Sequence, residues 1–242
     1  MEPIFKIHNL KKSYADRVVV DIRDLDIFEG EILALVGPSG SGKSTLLRML
    51  NFLEPPTDGR IEFQGNVIQG GQEISLETRR KIATLFQRSI LLNRTVKENV
   101  EIALRLHGHK NQRDLVKSVL HQVGLDHLSD QRARTLSGGE AQRVALARTM
   151  VLQLRALLLD EPTANLDPYN VTLIEKIVRN LNQGRNLTLV VVTHNIFQAR
   201  RLAHRVAFML DGKIIEVDNV ENFFGSPHDP RTRAFIGGEM IY

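Results

Sequence analysis

The sequence predicts an α/β fold: a parallel sheet as the core, an N-terminal antiparallel β-subdomain ahead of it, and a helical insertion subdomain within it. Three observations carry that prediction. Short apolar runs at 32–36, 82–86, 156–159 and 187–192 have the length and continuity of strands buried on both faces. Residues 4–36 read as strands, and 18–22 and 25–27 within them are β-branched and partly alternating. From Arg88 to about Met150 the apolar spacing changes to that of helices.

In chain order, Val18–Ile22 and Leu25–Ile27 read as strands, and Glu29-Gly30 as a turn. Tyr14, in Lys-Lys-Ser-Tyr-Ala, is either a surface or edge-strand residue or an aromatic that stacks on a base. The run Ile32–Val36 then enters Gly37-Pro38-Ser39-Gly40-Ser41-Gly42-Lys43-Ser44-Thr45, and Lys43 to Asn51 reads as a helix. This fits G-x-x-x-x-G-K-[ST] in the strand–loop–helix context that the motif requires. Its glycines let backbone N–H groups approach phosphate oxygens, and the helix directs its positive end at the same place. Lys43 would reach the β- and γ-phosphates of a nucleotide, and the Ser44 hydroxyl would ligate Mg2+. A glycine-rich turn that merely starts a helix does not account for the full spacing. The core is therefore that of a P-loop NTPase.

Glu54–Gly59 follows as a turn cluster and Gly59–Gly65 as a half-buried strand, and the run Ile82–Phe86 ends at Gln87. Leu115, Val116, Val119, Leu120 and Val123 fall at helical spacing before Gly124, a C-terminal stop. Leu136-Ser137-Gly138-Gly139-Glu140 opens the next helix, with Val144, Ala147 and Val151 on one face. Ser137 and Glu140 form a capping box; Gly138-Gly139 weakens a helix start but lets N–H groups approach an anion, and the two roles coexist. The strand Ala156–Leu159 ends in Asp160-Glu161 before Pro162. In a P-loop protein the first acid holds Mg2+ and the second polarises the water that attacks the γ-phosphate; the alternative is a solvated strand end. Asp167 as N-cap and Pro168 start a helix that buries Val171, Ile174, Val178 and Leu181. Thr193-His194 ends the strand 187–192. A histidine there is structural or catalytic, and it stands at the sheet edge where α/β ligands bind. Val206–Leu210 and Lys213–Val217 read as a hairpin about Asp211-Gly212, then Gly225–Pro230 as a loop with a short tail and no second domain. Arg200, Arg201 and Arg205 read as one solvated helix face, and His107-Gly108-His109 as a polar loop without further metal ligands.

At 242 residues the chain has the length of one large domain, and its 42% apolar and 25% charged residues are ordinary for a soluble globular protein. No apolar run approaches the roughly 20 residues that span a bilayer, and Met1–Lys6 lack the apolar core of a signal peptide. Zero cysteines exclude disulfides and thiolate metal sites, which suits the cytoplasm. A net charge of +4, with no zinc-finger or RNP-type motif, gives no sign of a nucleic-acid partner.

Together these motifs resemble the nucleotide-binding subunit of ABC transporters over nearly the whole chain. Residues 136–140 are similar to that family's signature sequence and are the most specific element. Tyr14 matches the adenine-stacking aromatic, Gln87 the Q-loop glutamine, and Asp160-Glu161 the Walker B pair. Ala164-Asn165-Leu166-Asp167 matches the D-loop and His194 the switch histidine. Glu140 stands where glutamine is commoner, and Asn165 where a small aliphatic residue is usual. The resemblance implies a single ATPase domain over 1–242, with 1–87 and 151–242 as catalytic core and β-subdomain and 88–150 as helical subdomain. It also implies that two copies sandwich two ATP molecules, each between the Gly37–Thr45 loop of one copy and Ser137–Gly139 of the other. Tyr14 and Asp167 belong to the same nucleotide-binding set. Lys43 and the loop amides would hold phosphates, Ser44, Gln87 and Asp160 would surround Mg2+, Glu161 would be the general base, and His194 would contact the γ-phosphate.

The expected partners are transmembrane permease subunits, docking near Arg88–Leu92 at the cytoplasmic face of the membrane, and indirectly an extracytoplasmic solute-binding protein. The regulatory barrel that some importer ATPases carry is not expected after this chain. Residues 164–168 and the ending Ala234–Tyr242 look most like tungstate-type oxyanion importers; polar amino acid importers share the compact layout. A soluble ABC ATPase acting on ribosomes or DNA is a reading of a different class, usually with fused nucleotide domains or long coiled coils. A non-catalytic scaffold would not need Lys43, Asp160, Glu161 and His194 together.

Overall fold

In the computed structural model, which describes residues 2–70, 72–109 and 111–239, the chain opens with a long antiparallel pair, β1 (Pro3–Tyr14) and β2 (Arg17–Phe28). Phe5, Ile7 and Leu10 of β1 and Val20, Ile22, Leu25 and Ile27 of β2 are buried, while polar neighbours take the open face. The two strands expected at 18–22 and 25–27 are one: Arg23-Asp24 turns outward without leaving the ladder, since Asp24 still pairs with His8. β3 (Ile32–Val36) runs into the glycine-rich loop and α1 (Lys43–Leu50). β4 (Asp58–Phe63) and β5 (Asn66–Gln69) then complete a four-stranded antiparallel sheet in the order β2-β1-β4-β5.

The second sheet has six strands. After α2 (Leu76–Arg80), β6 (Ile82–Leu85) forms one edge. Next come α3 (Val96–Leu106), α4 (Arg113–Gln122) and α5 (Gly138–Met150), followed by β7 (Ala156–Asp160), α6 (Pro168–Arg185), β8 (Thr188–Val192) and α7 (Ile196–Leu202). β9 (Arg205–Leu210) and β10 (Lys213–Asn219) pair as the expected hairpin, with α8 (Val220–Gly225) and α9 (Pro230–Ile236) behind them. The order is β10-β9-β3-β8-β7-β6; every pairing is parallel except that of β10 with β9.

Layering explains the continuous apolar strands. β3 and β8 are buried at every position, because both sheet faces are covered. On one face Leu157, Leu159, Leu189 and Val191 meet α3, α4, α5 and α6. On the other, Leu33, Leu35, Leu158 and Val190 meet α1 and the antiparallel sheet. A smaller cluster gathers α7, α8 and α9 around Phe208 and Phe235, whose rings stack with centroids 4.7 Å apart. Residues 88–95 have no regular structure, and the wholly buried Asn99 of α3 holds them. It accepts from the Leu92 N–H at 2.8 Å and donates to the carbonyls of Leu92 and Thr95 at 3.1 and 3.0 Å.

Two expectations are corrected. The tail after Gly225–Pro230 is helical: Asp229 caps α9 through the Arg231 N–H, Pro230 occupies its first position, and Phe235 anchors it. The three arginines do not share a solvated helix face. Arg205 lies on β9, bonded to Glu31 at 3.2 Å and 4.8 Å over the Phe28 ring, while Arg201 grips the buried Glu175 at 2.6 and 3.0 Å. Arg200 lies 5.8 Å over Phe224. Carboxylates and aromatic rings on neighbouring elements claim these guanidiniums, a fact that spacing within one segment does not contain. Residues 240–242 of the chain's ending, part of the oxyanion resemblance, lie outside the described residues.

Asn99→Leu, which keeps the volume but removes three hydrogen bonds and leaves the Leu92 N–H without its acceptor, is expected to lower stability by about 2 kcal/mol in urea denaturation. Hydrogen bonds from Arg231 hold the Asp229 carboxyl down from 3.8 to about 2. A depressed carboxyl stabilises the fold above its unfolded pKa and loses that contribution as the pH falls toward its folded one. Protection of the α9 amides, taken relative to the intrinsic exchange rate at each pH, should therefore fall between about pH 4 and pH 2, and Asp229→Asn should reduce that fall.

Candidate active site

Parallel strands all point their carboxyl ends at one edge, so residues that follow them are brought into a row. Register makes this concrete: Leu35 pairs with Val192, Val192 with Asp160, and Leu159 with Leu85. Gly37, His194, Asp160-Glu161 and Gln87 thus follow β3, β8, β7 and β6 at the same edge.

The loop from Gly37 is the centre of that row. Gly37 has φ +148°, and a Cβ there would lie 2.1 Å from the Met209 carbonyl, so only glycine lets the loop lean on β9. Among the described residues, the N–H groups of Gly40, Gly42, Lys43, Ser44 and Thr45 find no acceptor in the protein. They are clustered donors at the positive end of α1. The buried Lys43 ammonium donates to the carbonyls of Gly37 and Pro38 at 2.9 and 2.6 Å. Burial pushes its pKa down, and the charges of Glu161 and Asp160 oppose that. The Ser44 hydroxyl donates to Asp160 Oδ1 at 3.1 Å. Unpaired amides with an ammonium fit a polyphosphate, and the adjacent hydroxyl and carboxylate oxygens fit Mg2+, a hard cation.

Glu161 takes φ +48°, a left-handed conformation that is uncommon for its side chain and is held by its N–H bond to the Val192 carbonyl at 3.0 Å. Its carboxylate accepts from the His194 N–H at 3.0 Å and lies 2.8 Å from His194 Nδ1. The strand-end acids therefore diverge: Asp160 meets Ser44, while Glu161 meets His194. Gln87 is exposed, and its side chain makes no hydrogen bond among the described residues. Tyr14 ends β1, half exposed, its hydroxyl donating to Glu54.

Ser137–Gly139 sit elsewhere. Ser137 caps α5, with its N–H and hydroxyl donating to Glu140 at 2.8 and 2.7 Å. Those bonds hold the Glu140 carboxyl below its ordinary pKa. A Cβ on Gly139 would meet the Asn170 side chain at 2.3 Å. Asn170 in turn donates to Asp167 Oδ2 at 2.6 Å and accepts from the buried Arg143 at 2.5 Å. The glycine pair and the Asp167 cap are thus locked to each other, and no hydrogen bond among the described residues joins 137–139 to 37–45. Asn170 and Arg143 escaped the sequence reading, although Asn170 stands at the third helical position, where capping partners occur. Around Gln87, Phe86, Ile90, Leu92 and Leu106 leave apolar surface exposed around a cavity of about 620 Å³ beside α3 and α5.

Gly37→Ala is expected to weaken nucleotide binding by more than about tenfold in calorimetric titration, because the loop cannot keep its place against Met209.

The ABC transporter family model matches residues 20–164. The chain is 40% identical over 248 residues to the phosphate import ATP-binding protein PstB 2 of Natronomonas pharaonis, covering 98% of this chain and 87% of that one. It is 40% identical over 238 residues to the probable amino-acid import ATP-binding protein YxeO of Bacillus subtilis, covering 95% of each. It is likewise 40% identical over 214 residues to the tungstate uptake ATP-binding protein TupC of Peptoclostridium acidaminophilum, covering 88% and 97%. Among solved structures, the dimeric post-hydrolysis state of the ATP-binding cassette MJ0796 with ADP and Pi superposes with a TM-score of 0.80 at 32% identity, covering 89% of this chain and 98% of that one. The glycine-rich loop with its unpaired amides, the paired strand-end acids and these relatives lead to one conclusion: this chain belongs to the ABC transporter family, as an import-type ATP-hydrolysing subunit.

Proposed function

We propose that the chain is the energy-coupling ATPase of a multi-subunit importer for tungstate or a related oxyanion. The observation that carries the ATPase assignment is the convergence of Lys43, Ser44, Asp160, Glu161 and His194 on one sheet edge beside unpaired loop amides. In this reading the loop amides and Lys43 bind the phosphates, and Tyr14 stacks on the base. Ser44, Asp160 and Gln87 would hold Mg2+, which would supply positive charge against the phosphates. Glu161 takes the proton of the attacking water, and His194, already beside Glu161, contacts the γ-phosphate.

A second copy completes the site. The linked Ser137–Gly139 and Asp167 elements make no bond to their own phosphate loop, which leaves them to meet the nucleotide of a partner copy, and the MJ0796 neighbour is a dimer. The groove past Gln87 suits permease subunits, because it adjoins both the sheet edge and α5. With residues 88–150 acting as the helical subdomain, closure on ATP and opening after hydrolysis would move that groove. No helix of the described residues is long and apolar enough to cross a membrane. We assign the chain to the cytoplasmic face, attached through those subunits and working with a solute-binding protein.

The solute reading rests on likeness to the tungstate and phosphate relatives and on residues 164–168. The amino-acid relative at equal identity supports the second reading, a polar amino acid importer.

Glu161→Gln should lower hydrolysis by at least about a hundredfold and trap an ATP-bound dimer in gel filtration; a monomer under ATP would contradict the sandwich. For the solute, ATPase activity of the complex with permease and solute-binding protein is titrated with tungstate, molybdate, phosphate and amino acids. Stimulation at low tungstate is expected. Stimulation by an amino acid instead would overturn the oxyanion reading, and activation only by RNA or DNA would overturn the transporter reading.

A further inference from the structure

Tyr14 ends a strand and is 44% exposed, yet its far end is tied down. Its hydroxyl donates to Glu54 Oε1, and Lys12 Nζ lies 3.3 Å from the same oxygen and 5.2 Å from the ring centroid. Glu54 is well placed to act as an anchor. It follows α1, whose first residue is Lys43, and Phe52 at φ +55° turns the chain back. The N–H groups of Leu53 and Glu54 both return to the Arg48 carbonyl, at 2.9 and 3.3 Å. The turn is then fastened to β1 at three points. Thr57 N–H donates to the Lys11 carbonyl at 2.8 Å, Ser13 N–H to Thr57 Oγ1 at 3.0 Å, and Lys12 Nζ to the Pro55 carbonyl at 2.8 Å. Glu54 and Lys12 side chains are only 19% and 12% exposed, so this is not a surface pair free to swing.

We infer that Glu54, together with Lys12, is a positioning residue that sets the Tyr14 ring at a fixed offset from the phosphate loop, so that the site gauges a purine base against the triphosphate. This rests on the reading of Tyr14 as the base-stacking aromatic. An eight-residue helix is a rod of roughly 12 Å, so a group fixed at its far end is fixed relative to the phosphate loop at its near end. A ring tethered at its hydroxyl has less rotamer freedom to lose when a base stacks on it. An ammonium over one face draws on the ring's electron density and favours an electron-rich purine on the other face. The bond to Glu54 also raises the Tyr14 pKa, which keeps the hydroxyl a donor.

The test is calorimetric binding to the full-length chain at fixed Mg2+, with Tyr14→Ala, Glu54→Ala, Glu54→Gln and Lys12→Met. The probes are the β,γ-imido analogues of ATP and CTP and inorganic tripolyphosphate, which has no base. Glu54→Ala should weaken the ATP analogue about fivefold, shrink its preference over the CTP analogue, and leave tripolyphosphate unchanged. Glu54→Gln keeps an acceptor for the tyrosine and should retain most of the affinity, with Lys12→Met intermediate. Equal losses for the ATP analogue and tripolyphosphate would overturn the inference, because Glu54 would then support the loop and not the base. Tyr14→Ala losing the purine preference while Glu54→Ala keeps it would overturn the inference alone. An unchanged Tyr14→Ala would remove the stacking reading itself.

Discussion

The parallel register around β3 is the constraint on which the rest of the structure depends. β3 delivers Gly37 against the Met209 carbonyl, and β7 and β8, locked to it in sequence, deliver Asp160-Glu161 and His194 to the same edge. A one-residue slip would turn the strand-end carboxylates to the other face. The apolar layers on both sheet faces make such a slip costly, so packing is what holds these residues together at one edge. The same packing buries Lys43 at a depressed pKa, offset by the two acids, and leaves the loop amides of α1 without acceptors. The site carries unsatisfied positive potential, which a polyphosphate resolves.

Its second half is organised differently. α5 begins at Ser137 and is bonded in two directions. Arg143 reaches Asn170 and through it Asp167, while Gln142 bonds Ser89 and Arg148 donates to the Ile90 carbonyl at 2.8 Å. One helix therefore joins the glycine pair, the Asp167 cap and the exposed segment past Gln87. In the proposed transporter, motion imposed on that segment by a membrane partner would reach the elements that would face a second copy without requiring any change in the sheet.

Legibility in the sequence followed the chemistry. Residues 37–45, 137–140 and 160–161 were readable because a tight glycine loop into a helix, a helix cap and a strand end each demand particular residue types at short, fixed spacings. The strands 32–36, 156–160 and 188–192 were readable because burial on both faces leaves them almost wholly apolar, with only Asp160 and Thr188 polar at their ends. What resisted reading was contact made at long range. Glu54 sits in an ordinary turn cluster and acquires meaning only when β1 passes beside it. Arg205 looked like part of an arginine face until Glu31 and Phe28 were brought beneath it. α9 was missed for a smaller reason: Asp229-Pro230 is a helix start, but the glycine and proline before it read as a loop running on into the tail.

In the proposed mechanism each hydrolytic site is shared between two copies of this chain. Two dead variants test it most directly, one without the phosphate-loop ammonium (Lys43→Ala) and one with a blocked glycine pair (Gly139→Asp), expressed separately and together with the permease subunits. If the sites are shared, mixed complexes regain hydrolysis, because one intact loop meets one intact glycine pair across the interface. If mixed complexes stay as inactive as either variant alone, while wild-type complexes prepared the same way turn over ATP, the shared-site account is contradicted.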